Sequence, residues 1–298
     1  MKLVAPDPHR ISFERRAPTG LLIINADDWG GFPAATDSIE RCFEIGAITS
    51  ATAMVYMSDS DRAAQIAIES DRPIGLHLNL TQPFEVVPAS PAVRDRQLAA
   101  CRYFRDLRRR RWTYDPRREV NRLIHDAILD QFDAFERLYG IPPTHMDSHH
   151  HAHVCPNVFR SRAIPPGMRV RQIISAPPGA IARPGFAIRI ARHAALRRRY
   201  ITTERFWSGP SLIPALGGSH LGEAIAEAQH HTVEVMVHPS FEKEQRTLLD
   251  DDWCETIANA RLGDYTDLRP RPAGRGAIVA GALALTVGDA ANLLVAVA

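Results

Sequence analysis

Leu21-Leu22-Ile23-Ile24-Asn25-Ala26-Asp27-Asp28-Trp29-Gly30-Gly31 joins an uninterrupted apolar run to two carboxylates and a glycine pair. An apolar run without alternation suits a strand buried on both faces, as in a parallel sheet covered by helices. Such folds place their chemistry at the C-terminal ends of strands, which is where Asp27 and Asp28 stand. Neighbouring residues on an extended chain point in opposite directions, so the two aspartates are expected to do different jobs. The competing structural reading is an Asx turn that closes the strand before Gly30-Gly31.

Working outward, Ala35, Ile39, Cys42 and Phe43 recur at helical spacing within 34–46, with Gly46 as the stop. Residues 49–54 read as a second strand and 59–70 as a short helix. Residues 73–81 read as a third strand, with strict alternation around His77. A histidine in an apolar strand is commonly a satisfied core residue. At the C-terminal end of a strand, two strands after the aspartate pair, it becomes a metal-ligand candidate. The β-α-β-α-β succession starts a parallel sheet or barrel. An apolar stripe over 117–139 (Val120, Leu123, Ile124, Ala127, Ile128, Phe132, Phe135 and Leu138) predicts a long helix with Gly140 as its stop. Residues 168–174 and 232–241 read as further strands, the second ending at His238 before Pro239.

The long helix leads to Thr144-His145-Met146-Asp147-Ser148-His149-His150-His151-Ala152-His153, five histidines and one carboxylate in ten residues. Imidazole nitrogen and carboxylate oxygen are the ligands that borderline divalent metals prefer. Pro142 and Pro143 argue against a helix here. An extended chain would put His145, Asp147, His149, His151 and His153 on one face. A His-rich surface loop that binds metal only opportunistically is the alternative.

At 298 residues the chain suits one large α/β domain or two small ones. A net charge of +2 does not suggest a nucleic-acid or membrane-surface protein. Cys42, Cys101, Cys155 and Cys254 form no CxxC pair, which fits reduced thiols in a cytoplasm. Residues 1–20 read as a loose N-terminal extension without the apolar core of a signal peptide. Residues 21–268 then form a single domain, followed by a tail at 269–298. The tail is apolar from Gly276, but its alanines, glycines and Asp289 argue against a membrane span. The arginine run within 83–115 reads as a solvated helix face, with an anionic-ligand patch as the alternative, and 176–200 reads as an insertion or a cationic rim.

Five motifs occur in order: Asn25-Ala26-Asp27-Asp28-Trp29-Gly30, Ile48-Thr49-Ser50-Ala51-Thr52, Gly75-Leu76-His77-Leu78, the 144–153 stretch, and Glu234-Val235-Met236-Val237-His238-Pro239. Together they resemble the YdjC-like carbohydrate deacetylases, which include chitooligosaccharide deacetylases and a hopanoid-biosynthesis deacetylase. The resemblance implies an α/β fold, a distorted (β/α) barrel resembling the polysaccharide-deacetylase (NodB-like) fold. It also implies one divalent metal ion, Mg²⁺ or Zn²⁺, held by an aspartate and two histidines. Carried over by position, Asp28, His77 and His149 become the ligands, with His151 open as an alternative to His149. Asp27 becomes the general base, His238 the general acid, and Arg171 the residue that orients Asp27. Asp147 is a further candidate ligand. Trp29, where relatives commonly carry Phe, would stand at the edge of the site. The implied partner is a small acetylated carbohydrate, and a homodimer is compatible with this reading.

These residue types suit metal-assisted amide hydrolysis. An acetamide is a poor electrophile and neutral water a poor nucleophile, so a Lewis acid, a base and a proton donor are all needed. Two rivals stand beside this reading. One is a phosphoesterase of the His-rich barrel type, suggested by the HxHxH spacing and the arginines. The other is a non-catalytic sugar-binding relative. The phosphoesterase needs several metals and an HxH near its first strand, where this chain has Asp27-Asp28.

Overall fold

Strands β1 (Leu21–Trp29), β2 (Ser50–Ala53), β3 (Ile74–Leu78), β4 (Met146–Ser148), β5 (Arg205–Ser208) and β6 (Thr232–Val237) form one sheet in the order β4-β3-β2-β1-β6-β5. Every pairing is parallel. The computed structural model describes residues 20–86, 88, 90–173, 186–212 and 220–270. The expected N-terminal extension, apart from Gly20, and the apolar tail lie outside them. Up to Leu268 the described residues cluster as one unit.

Helices α1 (Pro33–Glu44) and α2 (Ser60–Glu69) link the first three strands. Between β3 and β4 come α3 (Pro91–Phe104), α4 (Leu107–Arg110) and α5 (Arg118–Tyr139), and between β4 and β5 come α6 (Pro156–Phe159) and α7 (Phe186–Arg199). Helices α8 (Gly209–Leu212) and α9 (Leu221–Ala228) precede β6, and α10 (Glu242–Leu248) and α11 (Asp251–Ile257) follow it. Among the described residues no helix is long and apolar enough to cross a membrane.

The apolar run of β1 is buried on both faces, as its lack of alternation predicts. Leu22, Ile24 and Ala26 join the main core with the helices, whereas Leu21 and Ile23 pack with Tyr265 and Leu268 in a second cluster on the other face. The sheet curves around that inner cluster as a half-barrel. Isolated parallel bridges from Met146 to Val170 and from Arg169 to Ile201 continue the curve past β4. Among its described residues, the strand expected over 168–174 is therefore reduced to these bridges. Helix α5 follows its stripe, burying Val120, Ile124, Ala127, Ile128, Phe132 and Phe135. Gly140 ends it at φ 71°, a left-handed conformation that costs glycine little.

Two expectations fail at the histidine stretch. Strand β4 is only three residues long, and His149–Val154 turns as a 3₁₀ segment in which His150 (φ 54°) and His151 (φ 55°) are left-handed. The five side chains therefore do not share one face. Ser148 helps impose the turn, because its hydroxyl accepts the His153 N–H at 2.7 Å. Of the arginines before β4, Arg102, Arg105, Arg108 and Arg109 are exposed, as the solvated reading expects, whereas Arg110 lies over the Tyr103 ring at 4.0 Å and within 3.6 Å of Asp115.

Candidate metal centre and active site

Asp28 stands at φ 70°, where the register between β1 and β2 shifts between Ala26 and Trp29. Aspartate tolerates the left-handed region better than most side chains, and such outliers gather at functional sites. The irregularity defeats the simple alternation expected of Asp27 and Asp28. Both carboxylates approach the same imidazole from different sides: Asp28 Oδ1 lies 3.3 Å from His77 Nε2, and Asp27 Oδ2 lies 4.0 Å from His77 Nδ1.

Asp28 Oδ1 is also 3.3 Å from His149 Nδ1, and this buried oxygen has no hydrogen-bond partner. His77 Nδ1 lies 2.7 Å from Asp147 Oδ1. A proton on Nδ1 serves that contact and turns the Nε2 lone pair towards Asp28. Two acceptors facing each other at 3.3 Å attract only with a cation between them. Ligands about 2.1 Å from one ion, at roughly 90–110°, stand about 3.0–3.4 Å apart. The donor set Asp28, His77 and His149 fits a divalent ion on both counts, and its three ligand atoms lie within 4.8 Å of one another. Burial alone would raise the Asp28 pKa; as protonated donors the His149 and His77 rings lower it, so this oxygen favours a positive charge beside it, whether a proton or a metal ion. A second grouping, Asp27, His77 and Asp147, is wholly buried. Its carboxylates already bind a guanidinium, so it fits an ion less well.

That guanidinium belongs to Arg171, which is fully buried. Its Nη1 and Nη2 donate to Asp27 at 2.7 and 2.6 Å, Nη1 also lies 2.6 Å from Asp147, and Nε donates to Glu234 at 2.6 Å. Asp27 would be raised by burial, but Arg171 and then His77 pull its pKa below the usual range, leaving it ionised at neutral pH. Glu234 is pushed up to about 7, chiefly by burial, with Arg171 opposing. Sequence reasoning named Arg171 and Asp147 but missed Glu234. The signal was there: a carboxylate in an otherwise apolar strand, in register with Ile23 at the barrel interior.

His238 follows β6 directly. Its Nε2 lies 3.9 Å from Asp27 Oδ2 and its Nδ1 3.9 Å from Glu244 Oε1. Glu244, also missed, is 1% exposed, and its Oε2 accepts the His238 backbone N–H at 2.6 Å. A Cβ at Gly209 would come within 2.7 Å of that oxygen, so the glycine makes room for the carboxylate. Burial disfavours a charged His238, but Glu244, Asp27 and Asp28 outweigh it and raise its pKa.

Other expected site residues sit elsewhere. His151 is not beside Asp28; its ring packs edge-on to Phe206 and His153. Burial lowers its pKa to about 3. Asp147 is fully buried, with Thr52, His77 and Arg171 as its partners. Trp29 is a core residue, fully buried, with its indole N–H donating to the Ala63 carbonyl at 3.1 Å. Its large apolar ring fills the space against Phe43, which removes it from the site's edge. His145 stacks on Tyr265, and His153 bridges Ser148 and the Arg171 carbonyl; both are structural.

A half-barrel of parallel strands thus carries carboxylates and imidazoles at its C-terminal edge, the layout of an α/β protein with a metal-binding site at its strand ends. The chain belongs to the YdjC-like protein family, which it matches over residues 21–269. It is 29% identical over 253 residues to a chitooligosaccharide deacetylase of Serratia marcescens, covering 78% of this chain and 86% of that one. A chitooligosaccharide deacetylase of Yersinia pestis (strain Pestoides F) is 27% identical over 269 residues, covering 86% and 95%. Among solved structures, a proposed cellobiose-phosphate cleavage protein of Enterococcus faecalis V583 shares the fold. Its TM-score is 0.59 at 18% identity, over 83% of this chain and 97% of that one.

Proposed function

We propose that this chain is a metal-dependent hydrolase that removes the N-acetyl group from an acetylated amino sugar or a small oligosaccharide or glycolipid built on one. The observation that carries the reading is Asp28 Oδ1, buried without a hydrogen bond and 3.3 Å from two imidazole nitrogens, with Asp27 and His238 close by. The names of the relatives support the substrate class. When bound, Mg²⁺ or Zn²⁺ at Asp28, His77 and His149 would supply Lewis-acid polarisation and a more acidic water.

The chain's own residues do the rest. Arg171 holds Asp27 ionised, ready to accept a proton from the attacking water. His238 donates a proton to the departing amine nitrogen, because an unprotonated amine leaves poorly. Asp147 fixes the His77 ring through its Nδ1, as supporting carboxylates do for metal-binding histidines. Glu244 orients His238 and favours its charged form.

The reaction class is tested by acetate release from N-acetylglucosamine, diacetylchitobiose and N-acetylglucosaminyl lipids, with chelator and then with single metals restored. Chelator-sensitive acetate release is expected. Phosphate release from phosphoesters without acetate release would move the assignment to the phosphoesterase.

The pH profile offers a second check. Glu244 raises the pKa of His238, and the acid form of His238 is the working one, so activity falls as pH rises through that pKa. Glu244→Gln removes the stabilising charge, and the alkaline limb of kcat should move to lower pH. An unmoved limb would separate Glu244 from the proton donor.

A further inference from the structure

Phe241 forms the turn into α10, and 58% of its surface is exposed. Single exposed apolar residues are ordinary, but the position of this one is not. Its ring centroid lies 5.3 Å from that of His238, tilted by 37°. Its backbone is pinned from both sides: the N–H donates to the His238 carbonyl at 2.9 Å, and the carbonyl accepts the Gln245 N–H at 2.9 Å. The Gln245 amide in turn donates to Ser38 on α1 at 2.7 Å. The backbone is thus held in place, and the ring lies beside the imidazole with an open apolar surface to water.

We propose that Phe241 is a stacking platform for the pyranose ring that carries the acetamido group, an inference that rests on the deacetylase reading above. A pyranose presents a patch of weakly positive C–H bonds on one face, and the face of a phenyl ring is the negative end of its quadrupole. Stacking covers apolar surface on both partners and leaves the sugar hydroxyls in water at the rim. A sugar held there brings its amide nitrogen within reach of His238. The site selects for a ring with an apolar face and not for charge, because the platform itself carries none.

The test uses the full chain with N-acetylglucosamine and diacetylchitobiose, measuring binding by ligand-observed NMR and turnover by acetate release. Phe241→Ala and Phe241→Leu should each weaken binding and raise KM about tenfold, with kcat changed much less. Phe241→Tyr should restore most of the binding, because it keeps the aromatic face. An alanine variant that binds like the wild type overturns the platform, as does a wild type that binds neither sugar. Wild-type binding without acetate release, still lost in Phe241→Ala, supports the platform and overturns the deacetylase reading instead.

Discussion

Asp27→Asn is expected to lower kcat by about 10²–10⁴-fold while leaving the protein folded and its metal bound. The fold should survive because Arg171 is shared among Asp27, Asp147 and Glu234. Removing one of three carboxylates around a single guanidinium leaves the cation paired. Asparagine also keeps an oxygen for Arg171 and can still accept from Asn25, which donates to Asp27 at 3.1 Å. The metal should stay because the proposed ligand oxygen belongs to Asp28 and not to Asp27. Kinetics and metal content measured on the same preparation check both halves. A rate within a few-fold of the wild type would remove Asp27 from the role of base, and lost metal would make it a ligand.

Arg171→Met should have the larger effect on the fold. Three carboxylates, all buried, would lose the cation that pairs them. Breaking a buried ion pair by deleting one partner typically costs about 3–5 kcal/mol. For a domain of this size that lowers Tm by on the order of 10 °C. Arg171→Lys should not recover it, because one ammonium cannot reproduce the fork that meets Asp27 through two nitrogens while a third meets Glu234. Thermal unfolding followed by circular dichroism reads the shift. A drop of only a degree or two would mean that the carboxylates are satisfied without Arg171.

The parts of this architecture that periodicity can express were legible in the chain. The unalternating run at Leu21–Ile24 and the stripe of α5 follow from which faces are buried, whereas β3 is buried throughout and its alternation sets His77 apart from Leu76 and Leu78. The site was legible only as residue types at strand ends. Its geometry depends on features that local spacing does not encode. One is the left-handed Asp28, which brings both aspartates to one imidazole. Another is the left-handed pair His150 and His151, which separates His149 from His151 and ends the shared face expected of the stretch. The third is the set of contacts around Arg171, whose partners are 144 residues away at Asp27 and 63 away at Glu234. Trp29 illustrates the converse: next to the proposed ligand Asp28 in sequence, its side chain is directed into the core.

The most direct test of the account is calorimetric titration of chelator-treated protein with Zn²⁺ and with Mg²⁺, in the wild type and in Asp28→Ala, His149→Ala and His151→Ala. One ion per wild-type chain is expected, with binding lost in Asp28→Ala and His149→Ala and kept in His151→Ala. Two ions per chain, or binding indifferent to Asp28 and His149, would contradict it.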